Sequence, residues 1–151
     1  MAEPKLSLTQ RKNIRDVTPE IDALVQKINA ATGQTFSFVA DYLTIVQHAQ
    51  HYKDEPARLV KEYLQHFTTG LEKLCADDMS KEAFVDATPK RTITFVVLSP
   101  QEYEAAFPGV SGFHPKHRLT DGGWEICVSQ EFLPSNVSEA SENLEALLFQ
   151  R

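Results

Sequence analysis

The apolar residues of this chain recur with two different periods, which predicts a mixture of helices and strands. The clearest helical pattern covers residues 54–76, where apolar side chains recur every three or four positions on one face. These side chains are Val60, Leu64, Phe67, Leu71 and Leu74. The same spacing predicts a helix from Val137 to Leu148 and favours one over residues 41–52, where the β-branched residues at 44–46 leave a strand as the alternative.

Proline, glycine and capping residues predict where several other helices begin and end. Thr18-Pro19 predicts the end of a short N-terminal helix and the start of the next one, which stops at Gly33. Ser99-Pro100-Gln101-Glu102 combines a capping box with proline in the first turn, which predicts a helix that ends at Pro108-Gly109. A further short helix is predicted for Lys81–Ala87.

Alternating or continuous apolar residues predict the strands. Thr92–Leu98 carries apolar residues on both faces, which predicts a central strand that is covered on both sides. Residues 35–40 alternate between apolar and polar and predict a second strand. Two more strands, Lys116–Leu119 and Trp124–Phe132, flank Asp121-Gly122-Gly123, whose glycines favour a tight hairpin turn.

These elements predict an α+β fold with about four strands and five or six helices. The strands come late in the chain and two are joined by a hairpin, which favours a mostly antiparallel sheet with amphipathic helices packed on it. At 151 residues the chain has the size of one domain. We predict a flexible or weakly helical N-terminal arm over residues 1–17 and a single α+β domain over residues 18–151.

Composition narrows the classes of function. Fifteen basic and 21 acidic residues give a net charge of −6, which argues against nucleic acid as the partner. Apolar runs such as Phe95–Leu98 are far shorter than the ~20 residues of a membrane helix, and the N terminus lacks the apolar core of a secretory signal. Cys75 and Cys127 lack metal-like spacing and are expected to be free thiols. The composition therefore predicts a soluble, cytoplasmic protein.

Two histidine pairs have the spacing His-x-x-His, which can serve a metal site. His48 and His51 lie in a predicted helix, where residues three apart share a face and can hold one ion. His114 and His117 suit chelation less well, because Pro115 forces an extended backbone in which residues three apart face opposite sides. Neither pair belongs to a larger ligand motif, so we expect no metal and no cofactor. If a metal binds, His48 and His51 are the candidates.

The segment from Phe107 to His117 has the composition of a binding loop, since glycines, prolines, histidines and a lysine lie between ordered elements. The candidate binding residues in and beside it are Phe113, Lys116 and Trp124. The candidate acid–base residues are His114, His117 and Asp121, because histidine titrates near neutral pH. The competing interpretation, which the usual burial of aromatic residues favours, is that Phe107, Phe113 and Trp124 are core and the segment is only a connector.

Catalytic motifs give no support for an enzyme. The nearest match, Gly109-Val110-Ser111-Gly112-Phe113, has phenylalanine where a nucleophile elbow needs glycine. The sequence therefore predicts a non-enzymatic binding or protein-interaction module of the cytosol, with a protein or a small molecule as its partner. The alternatives are a small enzyme that uses His114 or His117 as general acid–base, or a histidine-coordinated metal protein. Whether the chain is an enzyme, what it binds and its oligomeric state stay open at this point.

Overall fold

The computed structural model describes residues 5–149. Within this range the chain forms six α-helices, four strands and two short 3₁₀ helices, which is the α+β composition that the sequence predicts. The α-helices are Leu8–Thr32 (α1), Tyr42–His48 (α2), Pro56–Leu74 (α3), Asp78–Ala87 (α4), Pro100–Ala106 (α5) and Leu144–Phe149 (α6). The strands are Ser37–Ala40 (β1), Thr92–Leu98 (β2), Lys116–Thr120 (β3) and Gly123–Ser129 (β4). The 3₁₀ helices are Gln130–Phe132 and Val137–Ser141. None of the described helices is long and apolar enough to cross a membrane.

The four strands form one mixed sheet in the order β1-β2-β4-β3. β1 and β2 run parallel, as do β2 and β4, whereas β3 and β4 form the predicted antiparallel hairpin. The prediction of a mostly antiparallel sheet is therefore wrong. The reason lies in the connections, because α2, α3 and α4 separate β1 from β2, and α5 and β3 separate β2 from β4. Such crossovers return the chain to the end where the preceding strand began, so the next strand runs parallel.

The first helix is longer than the sequence predicts, because α1 continues through Pro19. Proline in a helix interior costs ~3 kcal/mol, whereas each large apolar side chain that is buried contributes roughly 1.5–3 kcal/mol. Pro19 lies on the exposed face of α1, while Ile14 and Val17 before it and Ile21 after it all pack against one core, and α1 lies along α3. Burial therefore outweighs the cost. The predicted helix end at Thr18 is wrong, and the predicted boundary at residue 17 falls inside α1.

Local signals located most other helix ends correctly. Ser99 and Glu102 form the predicted capping box of α5, with hydrogen bonds of 3.0 and 3.1 Å, and Asp41 caps α2. α3 passes through Gly70 without a break. The predicted C-terminal helix is divided into the 3₁₀ helix Val137–Ser141 and α6, and Asn143 between them has a left-handed backbone with φ of 63°.

The main core lies between one face of the sheet and the helices α1, α3 and α4. Trp124 of β4 is fully buried there, with its ring near Phe67 of α3 and Phe84 of α4. The opposite face of the sheet carries a smaller apolar cluster in which Tyr103 of α5 packs on Leu98 and Cys127. The sheet is thus covered by helices on both faces, although the second face is covered only in part.

Candidate functional site

The loop from Phe107 to Pro115 connects α5 to β3 and closes against the end of β4. An ideal Cβ on Gly112 would lie 3.0 Å from Cβ of Ser129 and 3.1 Å from the ring of Phe132, so the backbone approaches β4 closely at this glycine. β2 ends in register with Ser129, because Leu98 pairs with it. The loop therefore lies at the carboxyl ends of two parallel strands, which is where open α/β sheets commonly bind ligands.

Hydrogen bonds from two sides hold the loop in place. The hydroxyl of Tyr103 contacts the carbonyl oxygens of Ser111, at 3.3 Å, and of His114. Burial raises the pKa of Tyr103 to about 12, so this hydroxyl keeps its proton and can donate at neutral pH. From the other side, the amide of Asn136 donates to the carbonyl oxygen of Phe113 at 2.8 Å. The loop backbone is thus fixed before any ligand arrives.

Between α5, the loop and the end of β4 lies a cavity of about 250 Å³, here called the loop pocket. Pro100, Val110 and Phe132 contribute apolar groups to its wall. Glu104 and Glu131 also line it, and both are exposed to solvent. The described residues that line the loop pocket include no lysine or arginine. The pocket is therefore partly apolar, and its charged groups are negative.

Phe113 extends this apolar surface into solvent. Half of the residue, 50%, is exposed, and its ring centroid lies 3.9 Å from that of Phe132 in the pocket wall. Of the three predicted binding residues, Phe113 is the one that packs against the wall of the loop pocket. Lys116 instead lines a smaller cavity of about 170 Å³, together with His117 and Glu139.

Trp124 is fully buried in the core, and the partly buried ring of His117 lies beside it. The indole N–H of Trp124 donates to Nδ1 of His117 at 3.1 Å. Because Nδ1 accepts, the proton of the neutral ring is on Nε2, which donates to the carbonyl oxygen of Ala140 at 3.0 Å. Burial lowers the pKa of His117 to about 4. Both ring nitrogens are thus engaged at neutral pH, and His117 joins β3 to the segment around Ala140.

The other two predicted acid–base residues are separated from each other by the length of β3. His114 precedes the strand and is partly exposed, with Nδ1 at 2.9 and 3.0 Å from the two carboxylate oxygens of Glu139. Asp121 follows the strand, in the exposed hairpin turn, with φ of 52°. A five-residue strand spans roughly 17 Å, so the two side chains do not meet at one reacting atom.

The predicted metal candidates, His48 and His51, are not joined by further ligands among the described residues. His48 is the last residue of α2, and His51 lies in the bend that follows. Within residues 5–149, no group of three or more histidine, cysteine, aspartate or glutamate side chains is arranged to hold a metal ion.

Sequence reasoning missed Glu104, Glu131 and Phe132 as site residues. The signal that could have found two of them is position, since Glu131 and Phe132 follow directly on β4. That signal is informative only when β4 is known to be parallel to its neighbour.

No family model, curated protein or solved structure matches this chain. The geometry of the loop pocket therefore carries the functional assignment.

Proposed function

We propose that this protein is a non-enzymatic interaction module whose loop pocket binds a basic, apolar segment of a partner protein. The observation that carries the proposal is the half-exposed Phe113, whose ring packs on Phe132, a residue that lines the loop pocket together with Glu104 and Glu131. Aromatic residues, phenylalanine among them, are enriched at the centres of protein interfaces, and polar groups form the rim.

The size of the loop pocket favours a peptide side chain over a whole small molecule. Pockets for drug-sized ligands and cofactors have volumes of about 300–1,000 Å³. The loop pocket, at about 250 Å³, is smaller and can take one or two side chains of a longer partner. The apolar wall suits an aliphatic or aromatic side chain, and the adjacent carboxylates suit lysine or arginine.

The fixed loop and the net charge support the same partner. A backbone that is already ordered by Tyr103 and Asn136 loses less conformational entropy when a ligand binds. The net charge of −6 accelerates the approach of a basic partner, since long-range electrostatics act mainly on the association rate.

Selection from a displayed library of random 12-residue peptides would test this proposal. We expect the selected peptides to combine lysine or arginine with leucine, isoleucine or phenylalanine. Phe113→Ala should weaken their binding about 5–30-fold in fluorescence anisotropy, because a truncated interface aromatic costs roughly 1–2 kcal/mol. The double change Glu104→Gln and Glu131→Gln should also weaken binding and reduce its dependence on salt.

Two matched variants serve as controls. Met79 is exposed on α4, and Glu82 is an exposed carboxylate on the same helix, so Met79→Ala and Glu82→Gln should bind as the wild type does. Selected peptides without basic residues, or full affinity in the Phe113 and glutamate variants, would count against the proposal.

The pair His114–Glu139 favours a second candidate function, general acid–base catalysis. A carboxylate at 2.9 Å from Nδ1 orients the imidazole, as in many enzymes that use histidine. If this candidate is right, the wild type hydrolyses p-nitrophenyl esters above the solution background, and His114→Gln lowers the rate by 100-fold or more, since general acid–base catalysis contributes about 10²–10⁴. Equal rates for the wild type and His114→Gln would exclude it and leave the interaction module.

A further inference from the structure

β1 forms an edge of the sheet, and its outer side is open. The strand Ser37–Ala40 pairs only with β2 among the described elements. β1 has only four residues, and a short length is one protection of natural edge strands; a charged residue or a proline is another. The sequence Ser-Phe-Val-Ala contains neither, and Val39 is 53% exposed.

The hydrogen-bonding pattern of β1 tells which groups face the open side. The amide of Ser37 donates to the carbonyl oxygen of Arg91, just before β2, at 2.9 Å. Backbone groups alternate in direction along a strand, so the N–H and C=O groups of Ser37 and Val39 point to β2. Those of Phe38 and Ala40 point away from it. Within residues 5–149 these outward groups have no hydrogen-bond partner.

We infer that β1 pairs antiparallel with β1 of a second copy of this chain, about a two-fold axis at Val39. In this register Phe38 lies opposite Ala40 of the second copy and exchanges both backbone hydrogen bonds with it, and the symmetric pair does the same. A large side chain then faces a small one on one side of the sheet. On the other side Val39 meets Val39 of the second copy.

The neighbouring register is less favourable. An axis at Phe38 would place Phe36 opposite Ala40 of the second copy and would need the amide of Phe36 for the ladder. That amide already donates to the side chain of Asn29 at 2.8 Å. The axis at Val39 uses only amides that have no partner among the described residues.

The surface beside Val39 supports the same arrangement. Val39, Thr94 and Val96 line a shallow cavity of about 230 Å³ on the face of the sheet on which α5 also packs, and Asp41 and Thr44 lie at the same cavity. Pairing at Val39 brings the two copies of this apolar surface together across the axis. The loop pocket lies beyond β2, at the end of β4, and stays open in the dimer. The inference is therefore independent of the proposed function.

A cysteine at position 39 tests the register directly. Directly opposed residues of a non-hydrogen-bonded antiparallel pair have Cα atoms about 4.5 Å apart, which a disulfide can span. Val39→Cys should therefore form a covalent dimer on mild oxidation, seen on a non-reducing gel. Ser37→Cys, on the same strand and face, is the matched control. Its symmetry mate is offset by four residues, roughly 13 Å along the strand, so it should not cross-link. The native Cys75 and Cys127 are both buried.

Charge variants test the same contact in solution. Sedimentation velocity should show a dimer of the wild type that grows between about 10 and 1,000 μM, since a short ladder with a small interface binds weakly. Val39→Lys and Val39→Glu should each be monomeric, because like charges would oppose each other across the axis. An equimolar mixture of the two should restore the dimer. Met79→Lys, an apolar-to-lysine change on α4, should leave the dimer intact.

Three results would overturn the inference. They are a wild type that stays monomeric at 1,000 μM, a dimer that is insensitive to charge at position 39, and cross-linking of Ser37→Cys as efficient as that of Val39→Cys.

Discussion

Replacement of Gly70 by alanine is expected to lower the free energy of unfolding by about 1–3 kcal/mol, the typical cost of forcing extra volume into a packed contact. An ideal Cβ at this position would lie 2.5 Å from the carbonyl oxygen of Ser141 and 2.8 Å from its Cα. Both atoms belong to the backbone of the 3₁₀ helix Val137–Ser141, so no side-chain rotation relieves the clash. Urea unfolding followed by far-UV circular dichroism measures the change.

The sign of the stability change in Gly70→Ala distinguishes the contact with Ser141 from the effect of helix propensity. In an exposed helix, glycine-to-alanine stabilises by up to about 1 kcal/mol, so helix propensity alone predicts the opposite effect. Thr69 directly precedes Gly70 in α3 and is exposed, so Thr69→Ala is the matched control. It should change the free energy of unfolding by less than about 0.5 kcal/mol. A Gly70→Ala protein as stable as the wild type would mean that the segment Val137–Ser141 does not lie against α3.

Acid is expected to destabilise the protein through His117 by about 3 kcal/mol between pH 6.5 and 4. The ordinary histidine pKa of 6.5 applies to the unfolded chain, whereas burial lowers the pKa of folded His117 to about 4. In this window the unfolded state binds a proton that the folded state does not, so stability falls as the pH falls. One unit of pKa difference corresponds to ~1.4 kcal/mol. Protonation of Nδ1 would also set an N–H against the indole N–H of Trp124.

A His117→Gln variant separates the contribution of His117 to the pH dependence of stability from the contribution of the aspartate and glutamate residues. His117→Gln should be less stable than the wild type at pH 7, since it alters the contacts with Trp124 and Ala140. Its stability should fall less steeply between pH 6.5 and 4, so that the two curves converge in acid. His66 is exposed on α3, and His66→Gln should keep the full pH dependence of the wild type. Parallel curves for the wild type and His117→Gln would contradict the prediction.

The Gly70 and His117 experiments both probe the 3₁₀ helix Val137–Ser141. Gly70 lies against Ser141, and Ser141 directly follows Ala140. The carbonyl oxygen of Ala140 accepts the hydrogen bond from Nε2 of His117. Glu139, next to Ala140, binds His114 at the end of the loop. Because the hydrogen bond to Ala140 raises the pKa of His117, a 3₁₀ helix displaced in Gly70→Ala would remove that effect, so we expect this variant to keep the acid sensitivity of the wild type or increase it.

Much of the fold was predictable from short stretches of sequence. β2 has the predicted bounds Thr92–Leu98, and α5 begins at the capping box of Ser99 and Glu102. The hairpin forms around Asp121 and Gly122, both with positive φ. These features depend on residues within a few positions of each other, so local conformational preferences determine them.

The candidate site was predictable only in part. The loop and Phe113 were predicted from composition, and the structure places Phe113 at the surface beside the loop pocket. Trp124 and His117 have the residue types of a site, yet Trp124 is buried in the core and donates a hydrogen bond to the partly buried His117. No local sequence pattern distinguishes a solvent-exposed aromatic ring from a buried one.

The sequence by itself determined the α+β class, most element bounds and the hairpin of this protein, because each follows from the period of apolar residues or from a turn of a few residues. Tertiary structure decided the parallel pairing of β1, β2 and β4, the passage of α1 through Pro19 and the enclosure of His117. Each of these depends on contacts between residues far apart in the chain. The free energies of these contacts come from burial and from hydrogen bonds formed away from water. They are larger than the free energies of the local conformational preferences that can be read from the sequence.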